Sequence, residues 1–380
     1  MNLKRVRIRL PIIFSVLSLV FCFNLAMLSG IMIRLIRITL ILLDVFVVIH
    51  QAGIHQKIRN PEIWTYTIVI IMSGYINSGI GHSLQQALLY AGMLLMSYLI
   101  TRCAIEIYGE EELLKVLSNF LCVIMTVIDI MIIFNNGVGT HLTGRSDLFY
   151  YIGSKFTVSY FNMFLFALII WKSKKKQKLL IIGLASVFIY ISFLIDCMTG
   201  VTGILVMVIM CLTKDKIEDV VRKPWIVTFS VLLSGAFAMA MQSVVNLQPV
   251  RWFLTFVVRT DLEMTGRAGI FAILGKLFLK KPVLGYGYGN TAVKDFLGYG
   301  NPQNGLLDIG ISYGIVGILA FLLLVFKATA TRKYKNNEEK NMYPILVFIY
   351  AMIVCGTVEI NFSILMIFAL ALYKKREDKI

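Results

Sequence analysis

An all-α, polytopic integral membrane fold of about twelve transmembrane helices is the architecture this sequence predicts. Three observations carry the prediction. Of 380 residues, 58% are apolar and only 15% are charged, where a soluble domain carries about 25% charged residues. The apolar residues come in runs close to the length a helix needs to cross a bilayer, bounded by charges or glycine. Lysine and arginine are spread unevenly between alternate connections, as they are when topology follows the positive-inside rule.

The runs, in order, are 10–29, 31–50, 62–81, 83–101, 113–134, 156–171, 179–195, 198–213, 224–243, 304–326, 342–357 and 361–373. The first follows Lys4, Arg5, Arg7 and Arg9, as a secretory signal would. Its length and the many runs behind it predict an uncleaved first helix instead. Several later runs are nearer ~16 residues than ~20, so short or broken helices are expected. Asp44 and Asp129 fall inside runs and need a cavity or a partner there. For Asp44, an ion pair with Arg34 or Arg37 on the same run is expected. The six cysteines include no CxxC pair, so neither a disulfide framework nor a zinc site is indicated. No repeat of about 20–50 residues recurs, which disfavours a repeat-built transporter. The chain is therefore predicted as one membrane domain, 1–380.

With the N-terminus in the cytoplasm, most of the 37 Lys and Arg residues fall on the inner side, and so does the C-terminus. The net charge of +16 lies mainly in short loops. It is explained by anionic headgroups and topology rather than by nucleic acid. The exception is a large extracytoplasmic loop, about 244–303, which carries Arg251, Arg259, Arg267, Lys276, Lys280, Lys281 and Lys294. Within it, Ala268–Leu279 is apolar for only ~12 residues, too few to span. That piece is expected along the outer interface, with Lys276, Lys280 and Lys281 toward headgroups. A second outer loop, 135–155, holds Gly137, Gly139, Gly144, Arg145 and Lys155.

Residues able to do chemistry concentrate in these two loops. Gly285-Tyr286-Gly287-Tyr288-Gly289 is not a GxGxxG fingerprint and follows no strand, so dinucleotide binding is disfavoured. It reads either as a turn or as backbone amides that approach an anion closely. Arg145, Arg259 and Arg267 each sit in a glycine-containing outer stretch, and a guanidinium can hold two phosphate oxygens at once. The nearby carboxylates Asp261, Glu263, Asp295, Asp308 and Glu359 could pair with those arginines or act as a base. Of four histidines, His82 and His141 fall on the outer side; no HExxH or paired-His spacing occurs, and no metal site is expected.

Several of these pieces resemble, in order, the O-antigen and capsular polysaccharide polymerases of the wider O-antigen polymerase and ligase superfamily. YYIGSKFTVSYFNMF (150–164) is similar to that family's glycine–basic motif leading into a central span. DCMTGVTGILVMVI (196–209) is similar to the small-residue span after it. TGRAGIF, LGYGYGN and PQNGLLDIGISYGIVGI (265–271, 284–290 and 302–318) resemble the late outer loop and the helix leaving it. Together these pieces span about half the chain.

The resemblance implies a membrane glycosyltransferase of the bacterial plasma membrane, acting at the outer face without metal or other cofactor. Its implied substrate is an undecaprenyl-diphosphate-linked oligosaccharide, whose growing glycan moves onto another lipid-linked repeat. Membrane lipid, a flippase and a chain-length regulator of the same pathway are the implied partners. Arg267 maps onto the arginines that hold the diphosphate, and Arg145 and Arg259 map more weakly. Lys155, Gly285, Tyr286, Gly287, Gln303, Asn304 and Glu359 are the further residues expected at the donor and glycan. Superfamily members often carry His-Asn where this chain has Gln303-Asn304, and glutamine cannot take a proton as histidine does. The base is then His141, Asp308, Glu263 or Glu359, or the hydroxyl is oriented rather than deprotonated. Two other readings stay open: a ligase passing finished glycan to a different acceptor, and a flippase or exporter of the repeat unit.

Overall fold

The computed structural model describes residues 9–22, 30–52, 60–79, 83–134, 140–141, 148–150, 152–173, 178–245, 247–253, 266–292, 295, 304–330 and 343–355. Over these the chain is helical apart from one small sheet. The helices of the first half are α1 Leu10–Cys22, α2 Gly30–Ala52, α3 Pro61–Ile76, α4 Ser83–Tyr108 and α5 Glu110–Phe134. The second half holds α6 Lys155–Lys172, α7 Lys178–Leu194, α8 Met198–Leu212, α9 Lys214–Val221, α10 Pro224–Val245, α11 Gln248–Phe253, α12 Gly266–Lys280, α13 Gly305–Ala330 and α14 Tyr343–Val354. Each apolar run up to 342–357 coincides with a helix, and 361–373 lies outside the described residues. Three helices, α4, α5 and α13, are long and apolar enough to cross a membrane. The pair α8 and α9, bent by 104°, would make a fourth if it were one broken span.

Local chemistry sets the boundaries. Pro61 at the first position of α3 gives up an N–H that had no intrahelical partner. Helix α4 outruns its apolar stretch because Arg102 and Glu106, one turn apart, pair at 3.3 Å and carry the helix to Tyr108. Glu110, Glu111 and Glu112 then fill the first turn of α5, where the helix dipole favours negative charge. Arg9, at the foot of α1, pairs with Glu112 and so ties two helix ends together.

Helices α1, α2, α3 and α4 pack as one group, which α13 joins through α3. Helices α6, α7, α8 and α14 form a second group, linked to α4 through α5. Helix α10 bridges the two by packing on both α13 and α14. Helix α6 is buried on every side from Val158 to Leu168, the pattern of a central helix. Helices α2 and α10 differ: Leu35, Leu42 and Phe46, and Trp225, Phe229 and Leu233, turn outward. Where such faces meet lipid tails, apolar burial adds little, and close packing with internal hydrogen bonds holds the helices together.

One departure from an all-helical chain lies in the second loop. Thr140–His141, Leu148–Tyr150 and Gly153–Ser154 form an antiparallel meander, β1-β2-β3, pairing Thr140 with Phe149 and Tyr150 with Gly153. A second correction concerns Asp44. Its carboxylate is buried and accepts the Ser18 hydroxyl at 2.6 Å, while Arg37 donates Nε–H to the Phe21 carbonyl at 3.1 Å. The expected ion pair is not formed among the described residues. Positions 34 and 37 lie ten and seven residues before Asp44, about 15 and 10 Å along the axis, at ~1.5 Å per residue. Asp129 is likewise held by an amide, accepting Asn162 Nδ2–H at 3.0 Å.

Candidate functional site

The glycine-rich stretch after α12 is built into a break in α13. Gly314 has φ 66° and ψ −162°, so the helix opens there. In an unbroken helix the Ile311 and Ser312 carbonyls would accept the N–H groups of Ile315 and Val316. Here each of the four finds a partner in the loop. Tyr286 N–H donates to Ile311 O and Gly287 N–H to Ser312 O, both at 2.9 Å. Ile315 N–H donates to Pro282 O at 2.8 Å and Val316 N–H to Val283 O at 3.3 Å. The loop thus replaces the two hydrogen bonds lost at the break, and these four backbone groups stay paired.

Two positions demand glycine. At Gly314 the positive φ alone disfavours a side chain, and a Cβ would collide with the Val283 carbonyl. Gly285, φ 63°, lies so close to the 311–313 backbone that a Cβ would sit against Ile311 O and Tyr313 N.

Side chains from α3 lock the arrangement. The Ser73 hydroxyl lies 2.6 Å from Leu284 O and 2.9 Å from Ser312 O, and donates to one or the other. Asn77 Nδ2–H donates to Ser73 O at 2.8 Å and to Gly285 O at 3.2 Å. Lys281 completes the chain, donating Nζ–H to Asn77 Oδ1 at 2.6 Å while lying 5.0 Å from the Tyr286 ring centre. Lys281 therefore turns inward, in contrast to the headgroup orientation expected for it; Lys276 and Lys280 are exposed. Tyr286 O–H donates to Leu277 O, and burial pushes its phenol above the ordinary value. Tyr288 stacks on Tyr90 of α4, ring centres 4.3 Å apart. Helix α12 is held by the same scaffold, burying Leu274 and Leu277 against Ala238 of α10 and Ile311 of α13.

The structure does not bring all the residues expected at the site together. Gly285, Tyr286 and Gly287 form the loop just described. Asn304 is buried as the N-cap of α13: its Oδ1 accepts Leu306 and Leu307 N–H, each at 3.1 Å, and its Nδ2–H reaches Ser234 O at 3.4 Å. Asp308 follows in the first turn, its own N–H donating to Asn304 O. Lys155 opens α6 and pairs with Asp196 at 3.4 Å beside the sheet. Arg267 is the second residue of α12 and His141 pairs with Leu148 across β1 and β2, but their side chains lie outside the described residues. Arg145, Arg259, Gln303 and Glu359 lie outside them as well. Near Lys155, the Tyr150 phenol is pushed up by burial and by Asp196 and Cys197; its hydroxyl has no hydrogen-bond partner among the described residues.

Sequence reasoning missed Ser73, Asn77, Asn290 and Ser312. Asn290 Nδ2–H donates to Gly287 O at 2.7 Å and lies 3.4 Å from Ser312 Oγ. For Ser73, Asn77 and Ser312 the available signal was a polar residue in an otherwise apolar run, which inside a membrane marks a partnered group. Among the described residues, no group of three or more His, Cys, Asp and Glu is placed to hold a metal ion. Set against protein-family models, curated proteins and solved structures, the chain matches none.

Proposed function

We propose that this chain is a repeat-unit polysaccharide polymerase of about twelve spans in a bacterial plasma membrane, both termini inside. It would move a growing glycan from undecaprenyl diphosphate onto the non-reducing end of another lipid-linked repeat at the outer face. The acceptor hydroxyl attacks the anomeric carbon of the donor sugar. The bond from that carbon to the diphosphate oxygen breaks, polyprenyl diphosphate leaves, and the hydroxyl proton passes to a base or to water. A diphosphate leaves readily once its charge is neutralised, so pre-placed cations matter more than a general acid.

The observation that carries the reading is the seam between loop 282–287 and the opened helix α13. It makes a rigid floor from two of the segments whose order resembles the polymerases, LGYGYGN and the helix beginning at Gly305. Arg267, with Arg145 and Arg259, is assigned to the diphosphate, with Lys155, Gln303 and Glu359 at the glycan. Asp308 and His141 are the first candidates for the base. The cations gathered in one large, asymmetric outer loop favour an enzyme over an exporter, which would concentrate its cations in a cavity between pseudo-symmetric halves.

Cells lacking the protein test this directly. Sizing of the surface glycan and of lipid-linked intermediates should give single repeats displayed outside and no long polymer. Single repeats trapped inside would indicate a flippase, and long polymer left on its lipid carrier would indicate a ligase. The Arg267→Ala chain at normal abundance should make no polymer, and normal polymer in that strain removes Arg267 from the site.

A further inference from the structure

A cleft of about 170 Å³ opens between α2, α4 and the glycine loop, lined by Arg34, Arg37, Gln86, Tyr90, Met93 and Tyr288, with Leu89 beside them. We propose that this cleft binds the phosphoryl group of a lipid, with the lipid's chain lying along α2. None of the residues assigned above to catalysis or to the substrate lines it.

The charge argument comes first. Arg34 and Arg37 are one turn apart on a helix that otherwise carries only Asp44 as a charged residue, and Asp44 lies about two to three turns further on, where it accepts the Ser18 hydroxyl. The lining holds two guanidinium groups and no carboxylate. Arginines in an apolar helix are costly unless an anion or water offsets them. Arginines that merely snorkel reach outward along the surface. This pair instead converges with Gln86 and Tyr288 on one concavity, and the Phe21 carbonyl orients Arg37 through its Nε–H. A guanidinium's planar fork matches phosphate oxygens, as it does a carboxylate's, with two parallel hydrogen bonds.

The walls are fixed as a binding site requires. Tyr288 is held by its stack on Tyr90, and the residue before it is tied to α13 through Gly287 N–H and Ser312 O. The apolar part of the ligand follows from the opposite wall. Ile31, Leu35, Ile38, Leu42, Phe46 and Ile49 form an exposed stripe on α2, about every three and a half residues. Arg34 lies beside the start of that stripe. A phosphate on an acyl or isoprenoid chain meets both features, the headgroup in the cleft and the chain on the stripe. Free phosphate meets only the first.

Native mass spectrometry on the full chain in dodecyl maltoside micelles, which carry no phosphate, tests this with three probes: phosphatidylglycerol, a polyprenyl monophosphate and inorganic pyrophosphate. Both lipids should be retained by the natural chain, and Arg34→Ala with Arg37→Ala should lower retention by about tenfold or more, the range for losing charge-assisted hydrogen bonds. Preference for the polyprenyl phosphate makes the source a carrier lipid, and equal retention of the two lipids makes it a bilayer headgroup. Retention of pyrophosphate but neither lipid overturns the lipid assignment. Equal retention of every probe by natural and substituted chains of equal thermal stability overturns the site. If the double variant does not fold, Arg34→Ala alone decides, since Arg34 is exposed and has no acidic partner among the described residues. Binding is the readout, so failure of the polymerase reading leaves this result intact.

Discussion

The two glycine-bearing stretches that precede helices α6 and α13 are ordered by opposite means. The described residues of the 140–154 stretch pair with one another, in a meander of three very short strands, and touch the bundle through α6 and the Lys155–Asp196 pair. The 282–290 segment has no ladder of its own. It borrows the donors and acceptors that Gly314 releases from α13, and α3 supplies Ser73 and Asn77 to finish the job. A self-paired segment tolerates change at its contacts with the rest of the protein. A segment completed by its neighbours does not, because each lost partner strands a buried group.

The sharpest way to break that contrast is Gly314→Ala. It adds left-handed strain of about 1–2 kcal/mol, and the clash with Val283 should push the loop off α13. We expect a total loss of about 3 kcal/mol or more, read as a lower unfolding midpoint in detergent and new proteolysis within 282–290. An unchanged midpoint would mean the seam is not what orders the loop. Next is Asn77→Leu, which leaves the Gly285 carbonyl and the Lys281 ammonium without their partner. A cost of about 2–3 kcal/mol is expected, and Lys281→Met added to it should recover part of that loss if the two side chains act as one unit.

Smaller effects belong to the hairpin region. Burial raises the Tyr150 pKa above the ordinary value of about 10. A raised acid favours the neutral form when folded, so its contribution is complete below pH ~10 and is lost as pH rises beyond it. The Tyr150→Phe chain should lose less stability than the natural one above that pH, and at neutral pH it should be as stable or slightly more so, since the hydroxyl it removes is unpartnered. Equal alkaline profiles for the two would show that Tyr150 is not the titrating group. The smallest change is Lys155→Ala. Its partner Asp196 is 90% exposed, so no more than about 0.5 kcal/mol of stability is at stake. A drop in polymer at unchanged stability would then assign Lys155 to the ligand.

Much of the helical framework was legible because it is local. Hydropathy runs mark a helix wherever the backbone must satisfy itself away from water, and each run within the described residues became one. The places where the reading failed share a cause. Arg34 and Arg37 were matched to Asp44 because they are neighbours in sequence, yet Asp44 is met by Ser18 from another helix. Lys281 was expected at headgroups because lysine usually snorkels, and Asn77, 204 residues away, captures it instead. From sequence, GYGYG fits both a turn and an amide nest. The amides of Tyr286 and Gly287 are in fact spent on Ile311 and Ser312, so these two do not form an anion nest.

By itself, then, the sequence determined the composition-driven class, the helices and the loops rich in cations, because hydropathy and charge act over one or two turns. Only the tertiary structure decided which polar groups meet: the splice of 282–287 into α13, the capping of that helix by Asn304, and the cleft between α2 and α4. Hydrogen bonds between segments two hundred residues apart depend on which helices pack together. No local pattern in the chain encodes that choice.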